Sequence, residues 1–187
     1  GEFLGQVDLQ LQLNSVKIKA VSLLPTQSLP CDAAFESEMQ PFNDQVRELW
    51  QKPVGQVEDH PDLNTQVIVT DFARRELTLA NFVTDALVER MQSRGFAVDF
   101  AMIDASALKC GLPYHNHLTY GDCFEVMPYA DTLRVYTLTG RQVLGLLVDN
   151  ARRVDKPGYP DLERGFLQFS QQVRYTLDPN KGSVRDF

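Results

Sequence analysis

The sequence predicts a mixed α and β fold in which helices surround a mixed sheet, with a β-hairpin in front of them. Two kinds of segment support this class. Apolar residues recur at helical spacing in several places, as Phe82, Val83, Ala86 and Leu87 do. Other segments are short and apolar, or alternate with period two, which is typical of strands. Because the two kinds alternate along the chain, we expect helices packed around one sheet.

The first 30 residues predict the hairpin. Segments 7–13 and 16–21 alternate apolar and polar residues on either side of Asn14-Ser15. This pattern predicts two strands around a tight turn with one face buried. Proline residues then predict a loop up to residue 30.

Four helices are predicted from apolar spacing and end signals. The first runs from Ser37 and must stop before Pro53. The second has Thr78 as its N-cap and Gly95 as its C-cap, and it carries the most regular apolar stripe. Threonine N-caps predict two further helices, at residues 119–126 and 139–151.

Four strands are predicted between and after these helices. Residues 97–103 are mostly apolar and predict a strand buried on both faces. Residues 133–138 alternate with period two and also predict a strand. The last two strands are predicted at 166–169 and 173–177.

Charge and hydropathy exclude two classes of partner. The 187 residues include 18 Lys and Arg against 25 Asp and Glu, a formal net charge of −7. Nucleic-acid-binding modules need a basic surface that displaces phosphate counterions, so no nucleic-acid partner is expected. The longest apolar run, residues 143–148, is far shorter than the roughly 18 residues of a membrane span, so no transmembrane segment is expected.

One candidate metal site is centred on His115 and His117. Two imidazoles two residues apart can share an ion, and Cys110, Asp122 and Cys123 lie near them in sequence. A zinc site needs three or four ligands at defined spacing, and the chain has no second paired motif. We therefore favour two exposed loop histidines and expect no metal in this chain.

No motif for a catalytic centre is present. Ser106 lacks the Gly-x-Ser-x-Gly elbow of serine hydrolases. Neither a Walker A loop nor a dinucleotide glycine fingerprint occurs. Composition and spacing therefore predict no catalytic residue.

The order of several segments resembles the C-terminal, substrate-binding domain of the 5′-nucleotidase and UDP-sugar hydrolase family of metallophosphoesterases. The resemblance extends over about residues 32–178, and the opening residues 1–9 resemble the end of the family's upstream metallophosphatase domain. Its motifs are the segments 76–87, 98–103, 118–133, 138–144 and 165–170.

The resemblance implies a domain division and a function. Residues 1–30 are expected to be the tail of the metallophosphatase domain with a linker, and residues 31–187 a substrate-binding domain that lacks its last strands. The family's divalent metal pair, such as zinc or manganese, is expected in the missing N-terminal domain. The chain alone is therefore expected to hydrolyse nothing, and the resemblance implies that its parent protein is a nucleotide hydrolase of the periplasm or cell surface.

The resemblance also places four candidate substrate-binding residues. Asp104 and Lys109 stand where the family has the first Asn and the Arg of Asn-Gly-Gly-Gly-Ile-Arg. Asp104 can accept from ribose hydroxyls, and Lys109 keeps the positive charge without the planar geometry of arginine. Tyr129 matches a Phe that stacks on the base. A further family Arg falls at Ala73, and Arg74 beside it is the candidate substitute.

The same positions support an alternative hypothesis. The chain lacks the Asn, the three glycines and both arginines of the family pocket, whereas core-type residues persist. Ala and Ser resist the close backbone approach to a ligand that Gly allows. The alternative is a family fold whose pocket now has a non-nucleotide ligand or a structural role.

Overall fold

A computed structural model describes residues 2–113, 117–154, 156 and 164–187. Contacts between residues divide the chain into two compact units, Gly1–Arg47 and Glu48–Phe187. The domain boundary predicted after residue 30 remains a prediction.

The first unit contains the predicted hairpin. Strands β1 (Phe3–Gln12) and β2 (Ser15–Pro25) pair antiparallel, with a register shift between Asp8 and Leu9. The prediction of one buried face is wrong, because apolar side chains such as Leu9 remain about half exposed. The alternation is sufficient to form the ladder, but no layer of this unit covers either face of it.

Helix α1 (Ala33–Trp50) follows the hairpin and crosses the boundary between the units. It starts four residues before the predicted Ser37, because the Asp32 carboxylate accepts hydrogen bonds from the N–H groups of Ala34 and Phe35. This is the side-chain N-cap that aspartate commonly supplies. The helix ends before Pro53, as predicted.

The second unit mixes short strands with four helices, which confirms the mixed α and β class. Its strands form two-stranded antiparallel ladders (β3 with β5, β4 with β6, β7 with β8) in place of the single sheet that was predicted. The elements in order are β3 (Pro53–Gly55), α2 (Thr65–Asp71), α3 (Thr78–Ser93), β4 (Met102–Asp104), β5 (Leu118–Thr119), α4 (Tyr120–Val126), α5 (Gly140–Arg153), β6 (Leu167–Phe169), β7 (Thr176–Asp178) and β8 (Ser183–Arg185).

The predicted helix starts at Thr119 and Thr139 are confirmed, and each threonine belongs to a capping box. In each, the threonine hydroxyl accepts from the backbone N–H three residues later, and the side chain of that residue accepts from the threonine N–H. Those partners are Asp122 in α4 and Gln142 in α5. Local sequence is enough to start these helices.

Two predicted strands are corrected by the structure. The run 97–103 contains strand only from Met102, and the side chains of β4 are half-buried, not fully buried as predicted. Among the described residues, β4 pairs only with β6. Residues 133–138 form no strand, and Tyr136 is 64% exposed. Alternation there lacks a partner strand, without which an extended segment forms no ladder. The final predicted strand lies at 176–178, and helix α2 was not predicted.

The core of the second unit consists of two buried clusters. Both receive residues from the turn between α2 and α3, residues 72–77, and from the segment that follows β4, residues 105–109. These two segments are therefore held close to each other. The first cluster contains Ile68, Leu77, Leu79, Ala80, Leu108 and Val126, and the second contains Ala73, Ala105, Val154 and Phe166. Among the described residues, no helix combines the length and apolar character needed to cross a membrane.

Candidate functional site

Asp104 lies at the end of β4 and starts the loop that the sequence predicted to bind substrate. Its Oδ1 atom accepts a hydrogen bond of 2.8 Å from the N–H of Ser106, which caps the short 3₁₀ turn Ala105–Ala107. Ala105 is fully buried and donates its N–H to the carbonyl oxygen of Phe166 at 2.8 Å. The loop is thus fixed to Phe166, just before β6, and Asp104 is half-buried at the end of β4.

Lys109 and Tyr129 lie next to each other although 20 positions separate them. The Lys109 Nζ atom is 5.2 Å from the centroid of the Tyr129 ring, within the range of a cation–π contact. The same Nζ donates to the carbonyl oxygen of Ser106 at 2.7 Å, and the Lys109 N–H donates to Val126. Asp104 and Lys109 therefore both bond to Ser106, and the structure brings three of the four predicted residues together.

Tyr129 offers an accessible aromatic surface at this point. Its side chain follows the end of α4 and is 58% exposed. Together with the Lys109 ammonium and the Asp104 carboxylate, it provides a stacking surface, a positive charge and a hydrogen-bond acceptor within one loop cluster. That combination can bind a planar anionic ligand that carries hydroxyl groups.

Arg74 lies apart from this trio, on the turn 72–77. It is exposed and borders a cavity of about 570 Å³, whose walls also include Phe166, Arg174 and Tyr175. Asp104 is not among the residues that line this cavity. The link between Arg74 and the trio is indirect: Ala73 before it packs in the same cluster as the buried alanine after Asp104.

The cavity wall includes a tyrosine that stays protonated. Burial raises the pKa of Tyr175 to about 12, and its ring packs edge-on against Phe169, with 5.6 Å between centroids. The phenol is therefore neutral at physiological pH. It adds apolar surface to a cavity whose charged walls include Arg74 and Arg174.

An ion-pair network fastens the turn that carries Arg74. The Arg75 guanidinium donates to Asp62 and Asp71, each at 2.9 Å, and the Thr78 hydroxyl donates to the second oxygen of Asp62 at 3.1 Å. Hydrogen bonds from Arg75 are the main cause that lowers the pKa of both carboxyls. The network joins α2, the turn and the start of α3.

This network predicts a pH dependence of stability. A carboxyl whose pKa is lower in the folded state contributes stability above its unfolded pKa of about 4, and that contribution is lost as pH falls through the folded value. We expect Arg75→Ala to be less stable than the parent chain near pH 7, and the difference to shrink below about pH 4. Urea unfolding between pH 7 and 3 measures it.

Arg47→Ala is the matched control for this prediction, because it removes an exposed ion pair with Asp44 on α1. Exposed pairs of this kind contribute little, so its stability should follow that of the parent chain at every pH. A constant gap between Arg75→Ala and the parent chain across the whole range would contradict the role given to Asp62 and Asp71.

Comparison with known proteins identifies the family of this chain. A family model described as 5′-nucleotidase, C-terminal domain, matches residues 53–186. The chain belongs to the 5′-nucleotidase family and carries its C-terminal domain. The match includes all four predicted site residues, which are Arg74, Asp104, Lys109 and Tyr129.

A curated relative supports the same family. The trifunctional nucleotide phosphoesterase protein YfkN of Bacillus subtilis (strain 168) is 26% identical over 164 residues, which is 84% of this chain. The chain spans only 11% of the length of that relative. The similarity therefore concerns one small part of a much larger protein.

Among the described residues of this 5′-nucleotidase C-terminal domain, no group of three or more His, Cys, Asp or Glu side chains could hold a metal ion. The alternative site centred on His115 lies outside the described residues, whereas His117 is described and exposed. Cys110 and Cys123 are half-buried free thiols, and burial raises the pKa of both. They are protonated at neutral pH, and a thiol must lose its proton to ligate zinc.

Sequence reasoning missed two residues that organise this domain. Arg75 was passed over in favour of Arg74, although its spacing of four from Asp71 is a common helix-face pair. Gln168 received no role, although it is the one polar residue within the apolar run 166–169. That polar residue at a buried strand position was the available signal.

Proposed function

We propose that this chain binds the nucleoside or nucleotide substrate of a metallophosphoesterase, and that Asp104, Lys109 and Tyr129 contact that substrate. The observation that carries the proposal is the Lys109–Tyr129 contact, which places a positive charge and an exposed aromatic ring in one cluster. The membership in the 5′-nucleotidase family supports it.

Each side chain has a role that its chemistry allows. The exposed part of the Tyr129 ring would stack on the base, because aromatic rings offer a face that any base can use. Lys109 would attract the phosphate as a point charge. The second oxygen of Asp104 would accept from ribose hydroxyls, since its first oxygen caps the Ala105–Ala107 turn.

The remaining parts of the proposal concern the protein that would contain this chain. Hydrolysis would require a pair of divalent metals, such as zinc or manganese, held by an upstream metallophosphatase domain. The metals would activate water and stabilise the leaving oxygen. The periplasm or the cell surface is the proposed location. Arg74 is proposed as a second cationic group beside the substrate.

A comparison of AMP with adenosine tests the assignment of Lys109. We expect the chain to bind AMP more tightly than adenosine at low salt, and Lys109→Met to abolish that difference because the phosphate loses its cation. Isothermal titration calorimetry at low and high salt measures both affinities. Lys181→Met, which removes an exposed lysine on the loop between β7 and β8, is the matched control and should keep the preference.

One observation favours the second candidate function, a family fold with a non-nucleotide ligand or a structural role. The family's glycine loop is replaced by a packed turn in which Ala105 is fully buried, and Asp104 uses one oxygen to cap that turn. A folded chain that binds neither AMP nor adenosine would favour this candidate. Nucleotide binding that depends on Lys109 would reject it.

A further inference from the structure

The side chain of Gln168 joins two segments of the proposed substrate site. Gln168 lies in β6, is only 2% exposed, and pairs through its backbone with Ile103, the residue before Asp104. Its backbone therefore pairs with β4, the strand that ends at Asp104. Its side chain bonds elsewhere.

The amide of Gln168 makes three hydrogen bonds to the backbone of the turn 72–77. Its Nε2 atom donates to the carbonyl oxygens of Phe72 at 3.1 Å and Arg75 at 2.8 Å. Its Oε1 atom accepts from the N–H of Leu77 at 3.2 Å. Both amide hydrogens and one acceptor position are thus used on a single turn. Arg74 lies inside the segment that these bonds close.

Burial makes these bonds important for the shape of the turn. An apolar residue in place of Gln168 would remove the partner of the buried Leu77 N–H and of the part-buried carbonyl groups of Phe72 and Arg75. The turn would then have to open towards water to satisfy them. The Arg75 ion pairs bind the same turn through an exposed side chain, so they can persist when the buried bonds are lost.

We propose that Gln168 is a positioning residue of the substrate site, which fixes the turn carrying Arg74 against the strand carrying Asp104. The inference rests on the proposed function, because it gives Arg74 a place beside the bound nucleotide. Gln168 also lines the cavity beside Arg74, but the three hydrogen bonds of its amide go to the turn. It acts through the backbone that carries Arg74.

Gln168→Met is the test variant, because methionine matches the length of glutamine without its amide. Asn150→Leu is the matched control. Asn150 is 1% exposed and bonds to the N–H and carbonyl groups of Leu167 in the same strand and to Tyr175 in the cavity wall, whereas the amide of Gln168 bonds to the turn. Both variants should lower the unfolding midpoint. Only Gln168→Met should remove the hydrogen bonds that hold the turn 72–77 against β6.

Hydrogen exchange and AMP affinity are the two readouts. We expect Gln168→Met to speed exchange of the Leu77 amide by about tenfold or more beyond its effect on global stability, and to weaken AMP binding by about tenfold. Arg74→Ala in the Gln168→Met background should add little, because the two changes act through one group. Exchange and affinity equal to those of Asn150→Leu would overturn the proposal.

Two further outcomes are decisive. If Gln168→Met does not fold, the exchange rates of the Leu77 amide and of the Gln168 side-chain amide in the parent chain decide. Slow exchange supports the clamp, by which we mean the three hydrogen bonds of Gln168 to the turn 72–77. Exchange at the rate of exposed amides overturns it. If the parent chain binds no AMP while these amides are protected, the proposed function fails and the role of Gln168 in a nucleotide site fails with it, but the clamp on the turn stands.

Discussion

Tyr129→Ala should weaken the binding of both AMP and adenosine, in contrast to Lys109→Met, which affects only AMP. Stacking of a base on an aromatic side chain contributes about 1–3 kcal/mol, which corresponds to roughly 5- to 150-fold in affinity. Tyr129→Phe keeps the ring and should bind like the parent chain. Isothermal titration calorimetry with each ligand measures these changes.

Tyr136→Ala is the matched control for the Tyr129 variant. Both rings are largely exposed, at 58% for Tyr129 and 64% for Tyr136, so neither truncation should disturb the core. Tyr136→Ala should leave both affinities unchanged. If Tyr129→Ala binds adenosine as well as the parent chain does, the base does not stack on this ring and the placement of the ligand is wrong.

Gly111→Ala should destabilise the domain strongly. A Cβ atom at this buried position would overlap the carbonyl oxygen of Leu63 and lie 2.7 Å from backbone atoms of Asn64 and Thr65. The N–H of Gly111 also donates to the Thr65 hydroxyl at 3.1 Å, which holds the two segments together. Backbone atoms cannot give way as a flexible side chain can, so we expect a loss of about 3 kcal/mol, the upper part of the range for overpacked sites.

Urea unfolding followed by circular dichroism measures this loss, and Gly145→Ala provides the opposite result. Gly145 lies in the middle of α5, and an added Cβ there meets nothing within 4 Å. Alanine is the better helix former, so Gly145→Ala should stabilise the domain by about 0.5–1 kcal/mol. Equal stability of the two variants would show that the contact at Gly111 does not constrain the fold.

The start of α5 and the glycine at 111 show which parts of the fold could be predicted from sequence and which could not. The start of α5 was predicted from Thr139 as an N-cap, and the structure shows that Gln142 completes a capping box there. The need for glycine at 111 arises from a backbone almost 50 positions earlier, which no local pattern specifies. The strand predicted at 133–138 failed for a related reason: its alternation is local, but a ladder needs a distant partner.

The candidate site divides in the same way. The resemblance to the 5′-nucleotidase family named Asp104, Lys109, Tyr129 and Arg74 as candidates, and the family match confirmed the fold that carries them. The contact of Lys109 with Tyr129 and the separate cavity beside Arg74 became visible only in three dimensions.

The sequence alone determined the starts of α4 and α5, the family and the chemical types available at the site, because capping and motif order are properties of neighbouring residues. It missed α2, and it placed the N-cap of α3 at Thr78, whereas the structure has Leu77 there without a side-chain cap. Only the tertiary structure decided which of those side chains meet, and that Gln168 closes the turn of Arg74 from more than 90 positions away. Hydrogen bonds from a buried side chain form wherever packing places their partners. Spacing along the chain does not reveal them.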